Sequence, residues 1–195
     1  MTSDIRDETG FSDDATYFEK ERGVSEVEVV HGISHLVLTL SEESLVSNRL
    51  TLLKRLADAN VPVFLLKLLP RGISFALREA QVEAGTILLN ELKETIGFTY
   101  EHRSDLALVT IRAGAMRDLS GVMAAIYEIL VEGNLLIYQT GDTYNAVYCL
   151  LDGSTANQAA ERLRRRFALR LSEVAKEPEA DDLDANGEAG RIKAL

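Results

Sequence analysis

Two histidines, one cysteine and a run of arginines are the side chains of this 195-residue chain that first invite a chemical reading. His31 and His35 have the spacing that on a helix would bring both rings to one face for a metal ion. They lie across Gly32 in an extended segment, where four residues span roughly 13 Å. One ion cannot bridge that gap, so neither a metal nor a cofactor is expected. Cys149 sits in an apolar run with no His or Asp beside it in a motif, which is the setting of a buried, inert thiol. Arg162, Arg164, Arg165, Arg166 and Arg170 form the one basic cluster. Leu163 and Phe167 point inward at helical spacing, so these arginines are expected on a solvated outer face, with an RNA or phosphate contact as the alternative. No nucleophile elbow, phosphate loop, dinucleotide fingerprint or paired-His motif is present. The chain does not read as an enzyme.

Composition narrows the class. The net charge is −10, with 46% hydrophobic residues and a single cysteine, which excludes a disulfide scaffold. Apolar runs such as Val61–Leu66 stop well short of the roughly 20 residues a membrane span needs. The opening MTSDIRDETG carries acid where a secretory signal carries base. A reducing cytoplasm and no membrane partner follow as expectations. Residues 1–23 and 172–195 each hold seven acids and three bases, which leaves the stretch between them nearly neutral. Both ends lack apolar periodicity and are expected to be disordered acidic tails. With the charge placed there, nucleic acid is not an expected ligand.

The stretch from 24 to 171 reads as one pattern used twice. Ser34–Leu40 is a strand, and Ser44 to Ala59 a helix whose Val46, Leu50, Leu53 and Ala57 form a stripe widened by Leu52 and Leu56. Strands follow at Val61–Leu69 and Ile73–Leu77, a helix at Glu79 to Thr95, and a strand at Phe98–His102. The second round runs through Leu106–Ile111, a helix from Ser120 to Glu132, strands Leu135–Gln139 and Asn145–Leu151, and a helix from Ser154 to Leu171. Asn60 and Asn134 stand 74 residues apart, each just past a helix, where a left-handed C-cap belongs. The same offset carries Leu53 onto Tyr127, Leu56 onto Leu130 and Phe75 onto Cys149. The fold class is therefore α+β. Two ferredoxin-like βαββαβ units are expected, 24–103 and 104–171, each an antiparallel sheet with helices on one face.

The second unit resembles the second ACT domain of aspartate kinase. The matching residues are Gly114-Ala115-Met116-Arg117 after a strand, Gly121-Val122 at a helix start, and Cys149 in the closing strand. The first unit resembles the preceding ACT domain through Leu56-Ala57-Asp58-Ala59 and Ile73-Ser74-Phe75. The resemblance implies a regulatory region that binds an amino acid, Lys or Thr, at interfaces between such domains. It implies a homodimer, a separate enzyme as partner, and a strand at 26–30 that pairs into the second unit. The family's Lys-Phe-Gly-Gly nucleotide motif has no counterpart in residues 1–23.

The ligand residues follow the same resemblance. Ser44, Leu45, Val46 and Ser47 stand where the family has Asp-x-Pro-Gly, and Pro62 and Leu136 stand where it has the Asn of Gly-Ile-Asn. The second-unit loop keeps more of the pattern. Asp118 is an acid for an ammonium group, and Gly121 allows backbone N–H groups to approach a carboxylate. The candidate ligand set is Arg117, Asp118, Ser120, Gly121 and Val122, with Gln139 and the Ser44 to Ser47 loop as a second wall. Each has a structural alternative: helix-dipole stabilisation for Asp118, close packing for Gly121, and an edge polar residue for Gln139. The reading is a stand-alone regulatory module, with a ligand-free interaction module of the same fold as its alternative.

Overall fold

A computed structural model of the chain describes residues 23–114 and 121–169. The acidic stretches 1–22 and 170–195, and loop residues 115–120, lie outside them, as do the expected tails, Arg170 and Leu171. The order of elements is β1 (Val24–Leu40), α1 (Leu45–Asp58), β2 (Phe64–Leu69), β3 (Gly72–Arg78), α2 (Glu79–Leu92), β4 (Phe98–Ala113), α3 (Val122–Glu132), β5 (Ile137–Asp142), β6 (Ala146–Asp152) and α4 (Gly153–Arg166). Among the described residues a single antiparallel sheet runs β2-β3-β1-β4-β6-β5. The α+β, ferredoxin-like class holds.

The two expected sheets are fused. β1 and β4 have 17 and 16 residues and pair along their whole lengths, from Val24 opposite Ala113 to Leu40 opposite Phe98. The last part of β1 pairs with β3, and the last part of β4 pairs with β6. Residues 105–171 thus supply three strands to their half, and the fourth is Glu26–Val30, set against Leu108 to Arg112. The sharing has a physical cause. A unit of about 70 residues buries too little surface to stand alone, and a continuous ribbon gives each half the strand it would otherwise lack.

Side chains alternate across this sheet. Leu36, Leu38, Ile73, Phe75 and Leu77 face α1 and α2, meeting Leu52, Leu56, Leu88 and Leu89. Ala107, Val109, Ile111, Val147, Cys149 and Leu151 form the matching layer against Ile126, Leu130, Ala160 and Leu163. Cys149 is 1% exposed, and burial pushes its thiol up to about 12. A third cluster occupies the opposite face: Ile33, Ala76, Leu106 and Leu150, joined by Phe64, Leu65 and Tyr138. The sheet curls around this cluster until its edge strands β2 and β5 touch.

The structure shifts the phase of α1. Leu52 and Leu56 are buried, Leu53 is only half-buried, and Val46 and Leu50 are exposed. The buried stripe lies one residue away from the expected one. The 74-residue offset places Leu52 on Ile126 and Leu56 on Leu130, all buried, whereas Leu53 matches the exposed Tyr127. Periodicity alone does not select the stripe, because α1 carries Leu on more than one face.

Both helices end in the same way. Asn60 (φ 50°) and Asn134 (φ 53°) adopt the left-handed conformation. Val61 N–H donates to Leu56 C=O at 2.9 Å and Leu135 N–H to Leu130 C=O at 2.8 Å, which is the Schellman closure. Other limits move slightly. β2 starts at Phe64 because Val61 belongs to that turn, and α2 closes in a wide turn, Lys93–Gly97, that ends on Gly97 with φ 72°.

Candidate effector loops and the polar centre of the curled sheet

Of the expected second-unit loop, Arg117, Asp118 and Ser120 lie outside the described residues. Gly121 is the N-cap of α3, with φ 79° and open space where a Cβ would stand. The glycine is required by its left-handed backbone rather than by close packing. Val122 follows, half-buried against the second core. In the first half a short 3-10 turn, Glu42–Ser44, leads into α1. Ser44 caps α1 by position without a side-chain bond, and the Ser47 hydroxyl donates to Ser44 C=O at 3.0 Å. Both serines are exposed.

The strands that lead to these two regions end far apart within one chain. Ser41 follows Leu40, which pairs with Phe98, while the second loop follows Ala113, which pairs with Val24. Leu40 and Ala113 stand at opposite ends of the β1–β4 ribbon, separated by on the order of 50 Å of strand.

Gln139 lies in neither loop. It is 6% exposed inside the curl, where its Oε1 accepts from His35 Nε2 at 2.8 Å and from Ser74 Oγ at 2.7 Å. Its Nε2 donates to the carbonyl of Leu65 on β2. Leu65 is a left-handed, bulky residue (φ 49°) at a bulge in β2, a conformation that costs free energy unless the surroundings hold it. Gln139 thus clasps one edge of the sheet to the other. Arg103 stacks on the Tyr138 ring at 4.6 Å and faces the same cluster. Desolvation holds the His35 imidazole below its ordinary value, with smaller contributions from the Arg103 and Lys67 charges and partial opposition from the Gln139 bond.

The sequence points to Gln139 but not to its partners. His35 and Ser74 fall on the strand faces opposite Leu36 and Phe75, so alternation carries the signal. That signal is unreadable until the curl is known, because an open sheet would leave this face in water. His31 and His35 diverge as expected: His31 is exposed with its Nε2 3.4 Å from Asn157 Oδ1, while His35 is buried. Among the described residues no group of three or more His, Cys, Asp or Glu side chains is placed to hold a metal. No described helix is long and apolar enough to cross a membrane.

The arginine cluster needs one correction. Arg162 and Arg166 are exposed, and Arg165 pairs with Glu161, but Arg164 is half-buried and its Nη2 donates to Val27 C=O at 2.6 Å. It ties α4 to the segment of β1 that completes the second half.

This architecture matches solved structures of one kind. The chain superposes on "aspartokinase alpha and beta subunits" with a TM-score of 0.69 and 20% identity, covering 75% of this chain and 99% of that one. It superposes on the ligand-free regulatory subunit of aspartate kinase from Thermus thermophilus with a TM-score of 0.68 and 14% identity, at the same coverage. Against Escherichia coli aspartokinase III in complex with lysine and aspartate, the TM-score is 0.60 at 20% identity, covering 75% of this chain and 33% of the other. No protein-family profile matches the sequence, and no curated protein sequence matches it. The fold is that of the tandem ACT regulatory region of aspartate kinases.

Proposed function

We propose that this chain is a stand-alone tandem ACT module that works in the cytoplasm without catalytic activity, sensing an amino acid and regulating a separate enzyme. The observation that carries the reading is the extent of the likeness: the chain spans 99% of a protein described as a regulatory subunit. The effector class is Lys or Thr, and the site is the loop from Arg117 to Val122, with Gly121 supplying backbone access and Asp118 the negative partner. The module acts as a homodimer. The opposed positions of Leu40 and Ala113 on the β1–β4 ribbon support this, since they favour a second wall of Ser44 and Ser47 that comes from another copy. Gln139 belongs to the clasp of the curl and is left out of the ligand set proposed here.

Thermal melting with a panel of amino acids tests the reading, since a ligand at 100 times its Kd adds about 2.7 kcal/mol. Stabilisation by one amino acid that disappears in Asp118→Ala is the expected result. The second reading, a ligand-free interaction module, is favoured by the exposed stripe Met123, Tyr127 and Val131 on α3. A wild-type protein that no amino acid stabilises would select it.

A further inference from the structure

The helix α3 is apolar over more of its circumference than its packing uses. Ala125, Ile126, Ile129 and Leu130 are buried. Beside them Met123, Tyr127 and Val131 recur every four residues, at 42%, 47% and 70% exposure. That spacing keeps the three on one face. Glu128 and Glu132 are the only charged residues of the helix. The neighbouring α4 shows the ordinary arrangement instead, with Glu161, Arg162, Arg165 and Arg166 exposed. A surface helix turns a polar face to water, so a continuous apolar stripe on α3 marks a contact that the described residues do not supply.

Two outer segments of the chain join the fold close to this helix. The described residues begin at Gly23 and end at Leu169. Val24, Leu169 and Val122, the first residue of α3, all pack against the same core. Composition chooses between the two segments. Residues 1–22 hold Phe11, Tyr17 and Phe18, whereas residues 170–195 hold no aromatic residue. Aromatic side chains are scarce in segments that only meet water, and each brings a large apolar area to a contact. Length allows the contact as well. The chain from Val24 back to Phe18 reaches about 20 Å when extended, and α3 is roughly 16 Å long.

We infer that residues 11–18 dock on the exposed stripe of α3 in their own chain, as a latch. Phe11, Tyr17 and Phe18 cover Met123, Tyr127 and Val131. A tether this short holds the aromatic residues at a roughly millimolar effective concentration, so a modest apolar contact is enough to keep them in place. The consequence is regulatory. A protein partner that uses this face of α3 has to displace the latch first, so the segment sets how readily the stripe is reached. The latch requires no amino acid at the effector loop.

Paramagnetic amide NMR of the full chain tests this, with a nitroxide attached through Ser12→Cys. The chain's own thiol, Cys149, is buried and stays unlabelled. The amides of Met123, Tyr127 and Val131 should lose most of their intensity, while those of Arg162 and Arg166 on α4 keep theirs. The loss should disappear when Phe11→Ser, Tyr17→Ser and Phe18→Ser are combined. When spin-labelled chain without isotope is mixed with isotope-enriched chain without the label, the enriched α3 should stay sharp. Equal losses on α3 and α4 would overturn the docking, as would a loss on α3 that survives the combined substitutions. Loss on α3 in the mixed sample would overturn the latch in favour of a contact between two copies. Stabilisation by an amino acid through Asp118 is a separate result that none of these outcomes alters.

Discussion

The two halves of the molecule use the same parts with different degrees of independence. The first half owns its four strands, the last part of β1, β2, β3 and the start of β4, and closes its core with Leu52 and Leu56. The second half owns three and takes its fourth from residues near the start of the described chain, held by the β4 ladder and by Arg164 on Val27 C=O. The halves also enter their first helices differently, through the Glu42–Ser44 turn in one and through a left-handed Gly121 in the other. Sequence repetition therefore gives two equivalent layers but not two equivalent domains. The strand that finishes the second layer precedes the first, so the second half does not reach its full sheet without residues that come before the first.

If the layers are equivalent, matched truncations in them should cost alike. Leu52→Ala and Ile126→Ala are each expected to lose about 2–5 kcal/mol, read from urea unfolding. Leu53→Ala and Tyr127→Ala, on the half-buried and exposed positions, should lose less than half as much. A Leu53 loss equal to that of Leu52 would return α1 to the phase expected from its sequence.

The join between the halves depends on Gln139. In Gln139→Ala, the buried partners His35, Ser74 and the Leu65 carbonyl lose their common bond, and each group left unpaired costs about 1–3 kcal/mol. Amide exchange should rise first in β2 and β5, where the curl closes. Exchange that rises evenly over the chain would show that the clasp is not what unites the edges.

The helix entry of the second half gives a smaller effect. Gly121→Ala places a side chain on a left-handed backbone in open space, so it should cost about 1–2 kcal/mol from conformation alone. Asn60→Gly and Asn134→Gly, at matched C-caps, should both stay within about 0.5 kcal/mol of wild type, by the balance of backbone strain and chain entropy. Caps that differed from each other by more than that would break the equivalence of the layers.

The smallest effect is a pH slope. Burial keeps His35 neutral in the folded protein to a lower pH than in the unfolded chain. Between these two values the unfolded state holds more protons, so stability is full above about pH 6.5 and falls as the pH drops through that window. The groups facing His35 are Gln139 and Ser74, with Arg103 and Lys67 as the nearby charges. The urea midpoint of wild type should decline from pH 7.5 to 5.5 more steeply than that of His35→Gln. Parallel declines would assign the slope to other groups.

The repeat, the α+β class, the helix ends at Asn60 and Asn134 and the inert setting of Cys149 were legible from residue order, because each depends on local periodicity or on one residue's backbone preference. The phase of α1 was not, since Val46, Leu50, Leu52, Leu53 and Leu56 cover more than one face of a helix and only the neighbouring layer selects among them. The curl was not legible either. His35, Ser74 and Gln139 are polar residues on the outer face of any open sheet, and only contact between β2 and β5 turns that face into an interior. Likewise β1 bends at Gly32 and β4 at Asp105 beside the starts of α2 and α4, a coincidence of register across more than 70 residues. Local sequence sets the period and ends of each element. Which face is buried, and which polar groups meet, is settled by long-range pairing that no local pattern contains.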